Sequence, residues 1–291
     1  MSRLRAERGV TLVELVITIV LLGIIGGIGA MVLLPAFEAY FAAQRRADLA
    51  DAADTALRRL SRDVRLALPN SARVDGSQRY LEFLLAKNGG RYRAAHDEDP
   101  LTSEDPLLFD APDGAFDTLG ALATFGDQQV QAGDYVVLHN LGIPGANAYD
   151  VGAASPNIAQ ISAFASVAGG NRITLAAATQ FPFESPGRRF FVVSGPVTYA
   201  CVGVGLDAQG TGTGTLQRWW GYPIELRGGQ PPTTLPGGGA SAVLAHNLSA
   251  CELRYSNLAH LSRGLVVVRL GITRRQETVT LFHEIHVDNV P

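Results

Sequence analysis

The sequence predicts an α+β protein: one long N-terminal helix, a transmembrane half followed by an amphipathic half, packed on a C-terminal antiparallel β-rich domain. Three observations carry this. An uncharged apolar run extends from Leu15 to Leu34, long enough at about 1.5 Å per residue to cross a bilayer's hydrocarbon core as a helix. Apolar residues then recur at helical spacing as far as Leu68. From about Asn70 the pattern changes to short β-branched and aromatic runs broken by glycine, proline and acidic turns. The expected organisation is a basic leader over 1–9, a membrane helix over 10–35, an amphipathic helix over 36–69 and one β-rich domain over 70–291, with no internal repeat.

The leader, MSRLRAERG, holds Arg3, Arg5 and Arg8, which by the positive-inside rule keeps it cytoplasmic and places everything after the span outside. A secretory signal would be cut after its apolar stretch, behind a small-x-small pattern. Here the junction precedes the stretch. Gly9 followed by Val10-Thr11-Leu12-Val13-Glu14 resembles the signature of type IV prepilins and type II secretion pseudopilins. The resemblance implies that a prepilin peptidase cuts after Gly9 and methylates the amine of Val10, that the apolar segment stays in the mature chain, and that the fold is pilin-like. Val10 stands where the family usually has phenylalanine or methionine.

Glu14 is a lone acid beside an uninterrupted span. An unpaired carboxylate in lipid costs several kcal/mol, and such residues mark function by default. At its simplest, it sits near enough to the helix end to reach headgroups. The resemblance implies more: Glu14 pairs with the free amine of Val10 on a neighbouring subunit during assembly, so that a charge partner offsets its burial.

Within the span, Gly23, Gly26, Gly27 and Gly29 each weaken a helix interior by about 1 kcal/mol relative to alanine. Gly23 and Gly27 form a small-xxx-small pair for close helix packing, although glycine is common in membrane helices generally. Pro35 removes a backbone donor just past the span. Beyond it, Phe37, Phe41, Leu49, Ala53, Leu57, Leu60, Val64 and Leu68 fall on one helical face. Asp54 with Arg58, and Arg59 with Asp63, make i,i+4 pairs on the other. Arginines from Arg45 to Arg65 alternate with Asp48, Asp51, Asp54 and Asp63, which describes a solvated, salt-bridged face rather than a nucleic-acid stripe. Removing the leader takes away three arginines and one glutamate, so the formal charge moves from −3 to −5, and no nucleic-acid partner is expected.

Expected strands in the β domain are Tyr80 to Leu85, Tyr135 to His139, Arg172 to Leu175, Arg189 to Val193, Thr198 to Val202, Thr215 to Trp219, Glu252 to Tyr255, Leu265 to Ile272 and Glu277 to His286. The segments 97–114, 140–158 and 227–239 read as loops, and GTGTGT at 210–215 as a flexible turn. Cys201 and Cys251 are the only cysteines. The expected topology puts both in an oxidising compartment, where a bridge closing about fifty residues stabilises by on the order of 3 to 4 kcal/mol; a disulfide is favoured over two free thiols.

The stretches RRFFVVSGPVTYAC, LQRWWGYPI, AHNLSACELRYS and GLVVVRLGITRRQETVTLFHEIHVDNVP are similar to the O-component family of mannose-sensitive haemagglutinin (MSHA) pilus biogenesis, which are minor pilins, and more loosely to the pseudopilin J family of type II secretion. This resemblance implies a minor pilin of an MSHA-like type IV pilus, held in the bacterial inner membrane with its β domain in the periplasm before it enters the pilus. Its implied partners are other major and minor pilins, prepilin peptidase and the inner-membrane assembly platform. A bulky domain is hard to repeat along a tightly packed shaft, which favours a few copies at the tip, where they initiate assembly. The alternatives are a type II secretion minor pseudopilin and a pilus-displayed adhesin.

Searching for chemistry yields little. His283 and His286 lack the H-E-x-x-H spacing and on a strand face opposite ways. Ser194 has no nucleophile elbow around it, and Gly203-Val204-Gly205 has no dinucleotide fingerprint. Asp97, Glu98, Asp99, Glu104 and Asp105 offer hard oxygen ligands without an EF-hand spacing, so a solvated acidic loop is preferred to a Ca²⁺ site. Of the adjacent Trp219 and Trp220, at least one is expected in the core. Asn247-Leu248-Ser249 matches a glycosylation sequon but has no use in a bacterial-type prepilin. No cofactor, metal or catalytic constellation is expected, and no enzyme.

Overall fold

A computed structural model of the chain describes residues 10–95, 104–258 and 263–291. Helix α1 runs from Leu12 to Arg65. The strands are β1 (Arg73–Val74), β2 (Tyr80–Arg91), β3 (Asp113–Asp117), β4 (Tyr135–Leu138), β5 (Ile158–Val167), β6 (Gly170–Thr179), β7 (Arg189–Val202), β8 (Gly214–Trp220), β9 (Ala240–Leu258), β10 (Arg263–Arg274) and β11 (Glu277–Asp288). The chain divides into two compact units, one ending at Leu49 and one running from Ala50 to Pro291.

In the first unit, the apolar side chains of α1 are open to the surroundings: Leu12, Ile19, Leu22, Ile25 and Met31 are all at least half exposed. The helix continues through Pro35, whose missing N–H leaves the Met31 carbonyl without its usual intrahelical donor. Phe37 and Phe41 are likewise exposed, at 57% and 56%, so they do not join the buried face on which their spacing places them.

The second unit is one antiparallel sheet with the C-terminal part of α1 on it. Ala53, Ala56, Leu57, Leu60 and Val64 are buried, which is the three-and-four spacing of a single helical stripe. The helix stops at Arg65, short of the expected Pro69; a turn carries the chain to Asn70, which adopts φ 59°. Residues between then run along the edge of β2: Leu68 N–H donates to Leu84 O at 2.8 Å and Ala86 N–H to Leu66 O at 2.9 Å.

The strand order is β11-β10-β9-β8-β7-β4-β5-β6-β3, with β2 on the opposite edge of β7 and β1 beyond it. Strand β7 is the spine. Its first half pairs with β4 and its second half with β8 along one edge, and β2 runs along the other. The two separate strands expected there are one strand interrupted by Gly195-Pro196. Gly195 takes φ 128°, where a Cβ is disfavoured, and the register of β2 shifts across this point. Strands β3 and β5 coincide with no expected strand: they begin at the ends of the segments 97–114 and 140–158 expected to be loops and run beyond them; the alanines and serines between Ile158 and Val167 dilute the β signal of β5 (IAQISAFASV).

Strand β9 serves two neighbours in turn, pairing with β8 as far as Leu248 and with β10 from there on. Asn247 takes φ 61° at the changeover. The GTGTGT segment is ordered: Leu206 bridges to Gly212, and Gly212 N–H donates to Thr273 O at 2.8 Å. Beyond the end of β8, the second half of β9 meets the turn before β2, where Leu253 N–H donates to Gln78 O and Cys201 N–H to Arg79 O. The Cys201–Cys251 disulfide sits at this corner with Cα atoms 6.3 Å apart.

Candidate functional site

The segment that bears on function is the start of α1. Gly9 lies outside the described residues; Val10 is 68% exposed and α1 begins two residues later. Thr11 is the N-cap, its Oγ1 accepting from Glu14 N–H at 3.2 Å. Thr11-Leu12-Val13-Glu14 therefore has the Ser/Thr-x-x-Glu pattern of a capping box, a signal present in the sequence and not used in reading it. The cap satisfies one orphan donor of the first turn, and the Glu14 carboxylate lies at the positive end of the helix dipole. Glu14 has no partner of opposite charge among the described residues. The glycines of this segment face open space: among the described residues, a Cβ at Gly23, Gly26, Gly27 or Gly29 would meet no atom of another segment within 4 Å. The apolar stretch of α1 is long enough to cross a membrane, and none of it is buried in the chain's own fold.

The second feature is the lock between α1 and the sheet. Asp63, expected on a solvated face, is buried, its side chain 4% exposed. It accepts from Arg218 Nε of β8 at 2.7 Å and from the Tyr199 hydroxyl of β7 at 2.9 Å, with Arg59 at 3.4 Å. Burial, reinforced by the Asp63 charge, pushes the Tyr199 hydroxyl far above its ordinary range, so it remains a donor. Tyr199 also stacks on Phe83, ring centroids 6.2 Å apart. The expected Asp54–Arg58 pair does form at the surface, at 2.6 Å.

On the other face of the sheet, Glu82 is fully buried. Arg73 holds one carboxylate oxygen at 2.5 and 2.8 Å, while Tyr222 and Thr198 donate to the other at 2.8 and 3.2 Å. Arg73 also donates to the carbonyls of Leu226 and Glu225 and lies 3.7 Å from the centre of the Tyr149 ring. With Arg227 also 3.7 Å from Glu82, two long loops are pinned to the sheet through this one carboxylate. A buried pair with every lone pair occupied is structural in character.

The remaining sequence candidates do not converge. Trp219 is buried against Ala200 and Tyr222, and Trp220 lies under Arg218. His283 points to Ser61 at 3.2 Å while His286 faces outward. Asp97, Glu98 and Asp99 lie outside the described residues; Glu104 pairs with Arg93 at 2.8 Å and Asp105 approaches Arg172 at 3.8 Å. Among the described residues, no three His, Cys, Asp or Glu side chains come together as metal ligands.

A long apolar N-terminal helix, its C-terminal part seated on an antiparallel sheet, is a pilin-like architecture. Comparisons with protein-family models, curated proteins and solved structures find no match.

Proposed function

We propose that the chain is a minor pilin of an MSHA-like type IV pilus, processed after Gly9, anchored in the bacterial inner membrane by α1 and drawn from there into the filament. One observation carries the reading: the apolar part of α1 is wholly unburied in its own fold and opens with the single acid Glu14. Such a helix needs an apolar surrounding twice, first lipid and then the packed helices of other subunits. Glu14 serves the second stage by pairing with the Val10 amine of a neighbouring pilin. The disulfide suits a periplasmic domain. A β domain of this bulk favours the tip, with other minor pilins and the assembly platform as partners. The role is structural and no reaction is assigned to the chain.

The test is Glu14→Val, which keeps the span apolar. The variant is expected at parental level in the membrane fraction and absent from sheared filaments. Recovery of Glu14→Val in filaments at parental level would sink the reading.

A further inference from the structure

The sheet has a beginning and an end that come close together. Its path leads from β2 through β7, β8, β9 and β10 to β11, and β11 returns beside the start of the β domain, where the Asn289 amide oxygen accepts from Asn70 N–H at 3.1 Å. Both flanking edges are open. Among the described residues, no strand pairs with the outer side of β11 over its twelve residues, and none pairs with the outer side of β2 from Lys87 to Gly90. A cleft of about 610 Å³ lies between them, bounded by Ala86–Arg91 on one side and by Asp288 and Val290 on the other. A second cleft continues from it between α1 and His283 of β11.

An uncovered edge is a template for another strand, and proteins ordinarily blunt it with proline, lysine, a bulge or a covering segment. Among the described residues, strand β11 has no proline, lysine, bulge or covering segment, and its acids are Glu277, Glu284 and Asp288. ETVTLFHEIHVD contains no proline or lysine, and its pairing with β10 runs without a register shift from Glu277 to Asp288. Phe282 stands 62% exposed on its outer face. The cleft floor is apolar, with Leu66, Phe190 and Phe191, and its rim is cationic. Arg62, Arg65, Arg91 and Arg189 surround it, all exposed, and none has an ion-pair partner among the described residues. The one acid on the rim is Asp288. Four unpaired guanidinium groups beside one carboxylate, on a chain of formal charge −3, favour an anionic occupant of defined position.

We propose that this seam is a strand-addition site: an extended, acidic segment of a partner protein pairs with the free edge of β11, with carboxylates at alternate positions reaching the arginines and the intervening side chains lying on Leu66 and Phe190. Main-chain bonds supply the register and the arginines supply the choice of partner. The seam lies wholly within the unit Ala50–Pro291, formed by the end of α1 and the sheet, so this inference stands or falls independently of entry into a filament.

The probe is a blocked peptide of alternating aspartate and valine, titrated onto the full chain in detergent micelles. Binding is expected, together with slowed amide hydrogen exchange across Glu277–Asp288. The double variants Arg62→Glu/Arg65→Glu and Arg91→Glu/Arg189→Glu, all at exposed positions, should each weaken binding about tenfold or more with unchanged tryptophan emission. Alternate N-methylation of the peptide, which leaves its charge intact, should abolish binding. The proposal is overturned by no binding, by binding that survives N-methylation or charge reversal, or by equal occupancy with polyphosphate, which would mark a plain polyanion surface.

Discussion

Replacing Asp63 with alanine tests how the helix is held. The carboxylate is buried between Arg218 and Tyr199, and the Arg218 side chain is itself only 12% exposed. Truncation leaves a guanidinium and a phenol in a site with little water. Removing one partner of such a pair costs about 3–5 kcal/mol, mostly for the charge left behind; the lost Tyr199 bond, about 1.5–3 kcal/mol for a hydrogen bond to a charged acceptor, overlaps with that figure and is not added. Asp63→Ala should therefore lose about 3–5 kcal/mol. Adding Arg218→Met removes the orphaned charge and should restore more than half of the loss. The assay is denaturant unfolding of the full chain in detergent, followed by the emission of Trp219 and Trp220, the only tryptophans, which follow Arg218 directly on β8. A loss below about 1 kcal/mol, the range of an exposed pair, or a double variant weaker than the single, would refute the lock.

Three further outcomes follow from the β domain. Cys201→Ser/Cys251→Ser frees a loop of separation 50, and loop-closure entropy puts the loss at about 4 kcal/mol; unfolding with and without reductant reads the same quantity. Burial works to raise the carboxyls of Asp75 and Asp117, but the Ser77 hydroxyl and backbone N–H groups outweigh it for Asp75, as the Arg172 guanidinium and the Asp105 N–H do for Asp117, leaving both below the usual carboxylate range. Their stabilisation is complete above an unfolded value of about 3.9 and is lost as pH falls through the lower folded values, so a pH series should show stability dropping on the acid side of about 4, and Asp75→Asn should flatten that limb. Gly212→Ala drives a Cβ into the Asn247 carbonyl at the β9 corner. A melting curve should report a loss of about 1–3 kcal/mol or more.

How much of this was legible in the sequence depended on whether the signal was local. The apolar run and the stripe Ala53, Leu57, Leu60, Val64 declare themselves by spacing, and the strands rich in valine, tyrosine and tryptophan by composition. Phe37 and Phe41 share that spacing, yet a helix's own periodicity does not say how far along its partner extends. Asp63 sits four residues from Arg59, the spacing of a surface pair, and its real partners come from strands more than 130 residues away. Polar burial of this kind is a tertiary property. Gly195-Pro196 looks like a break between strands; it marks the point where β7 changes neighbours from β4 to β8. Strand β5 announces itself weakly, its isoleucines and valine diluted by alanines and serines of little β preference, and neighbours on both sides hold it in place. In the candidate site, Glu14 was conspicuous as the one acid of an apolar helix, whereas Thr11 was overlooked although it completes a capping box.

The most direct test of the account is the mature amino terminus, determined by mass spectrometry on membranes with and without active prepilin peptidase. The account predicts a chain beginning at methylated Val10, formed only when the peptidase is active. An intact Met1 in its presence, or cleavage beyond Leu34, would contradict it and leave an anchored or secreted β-domain protein in place of a pilin.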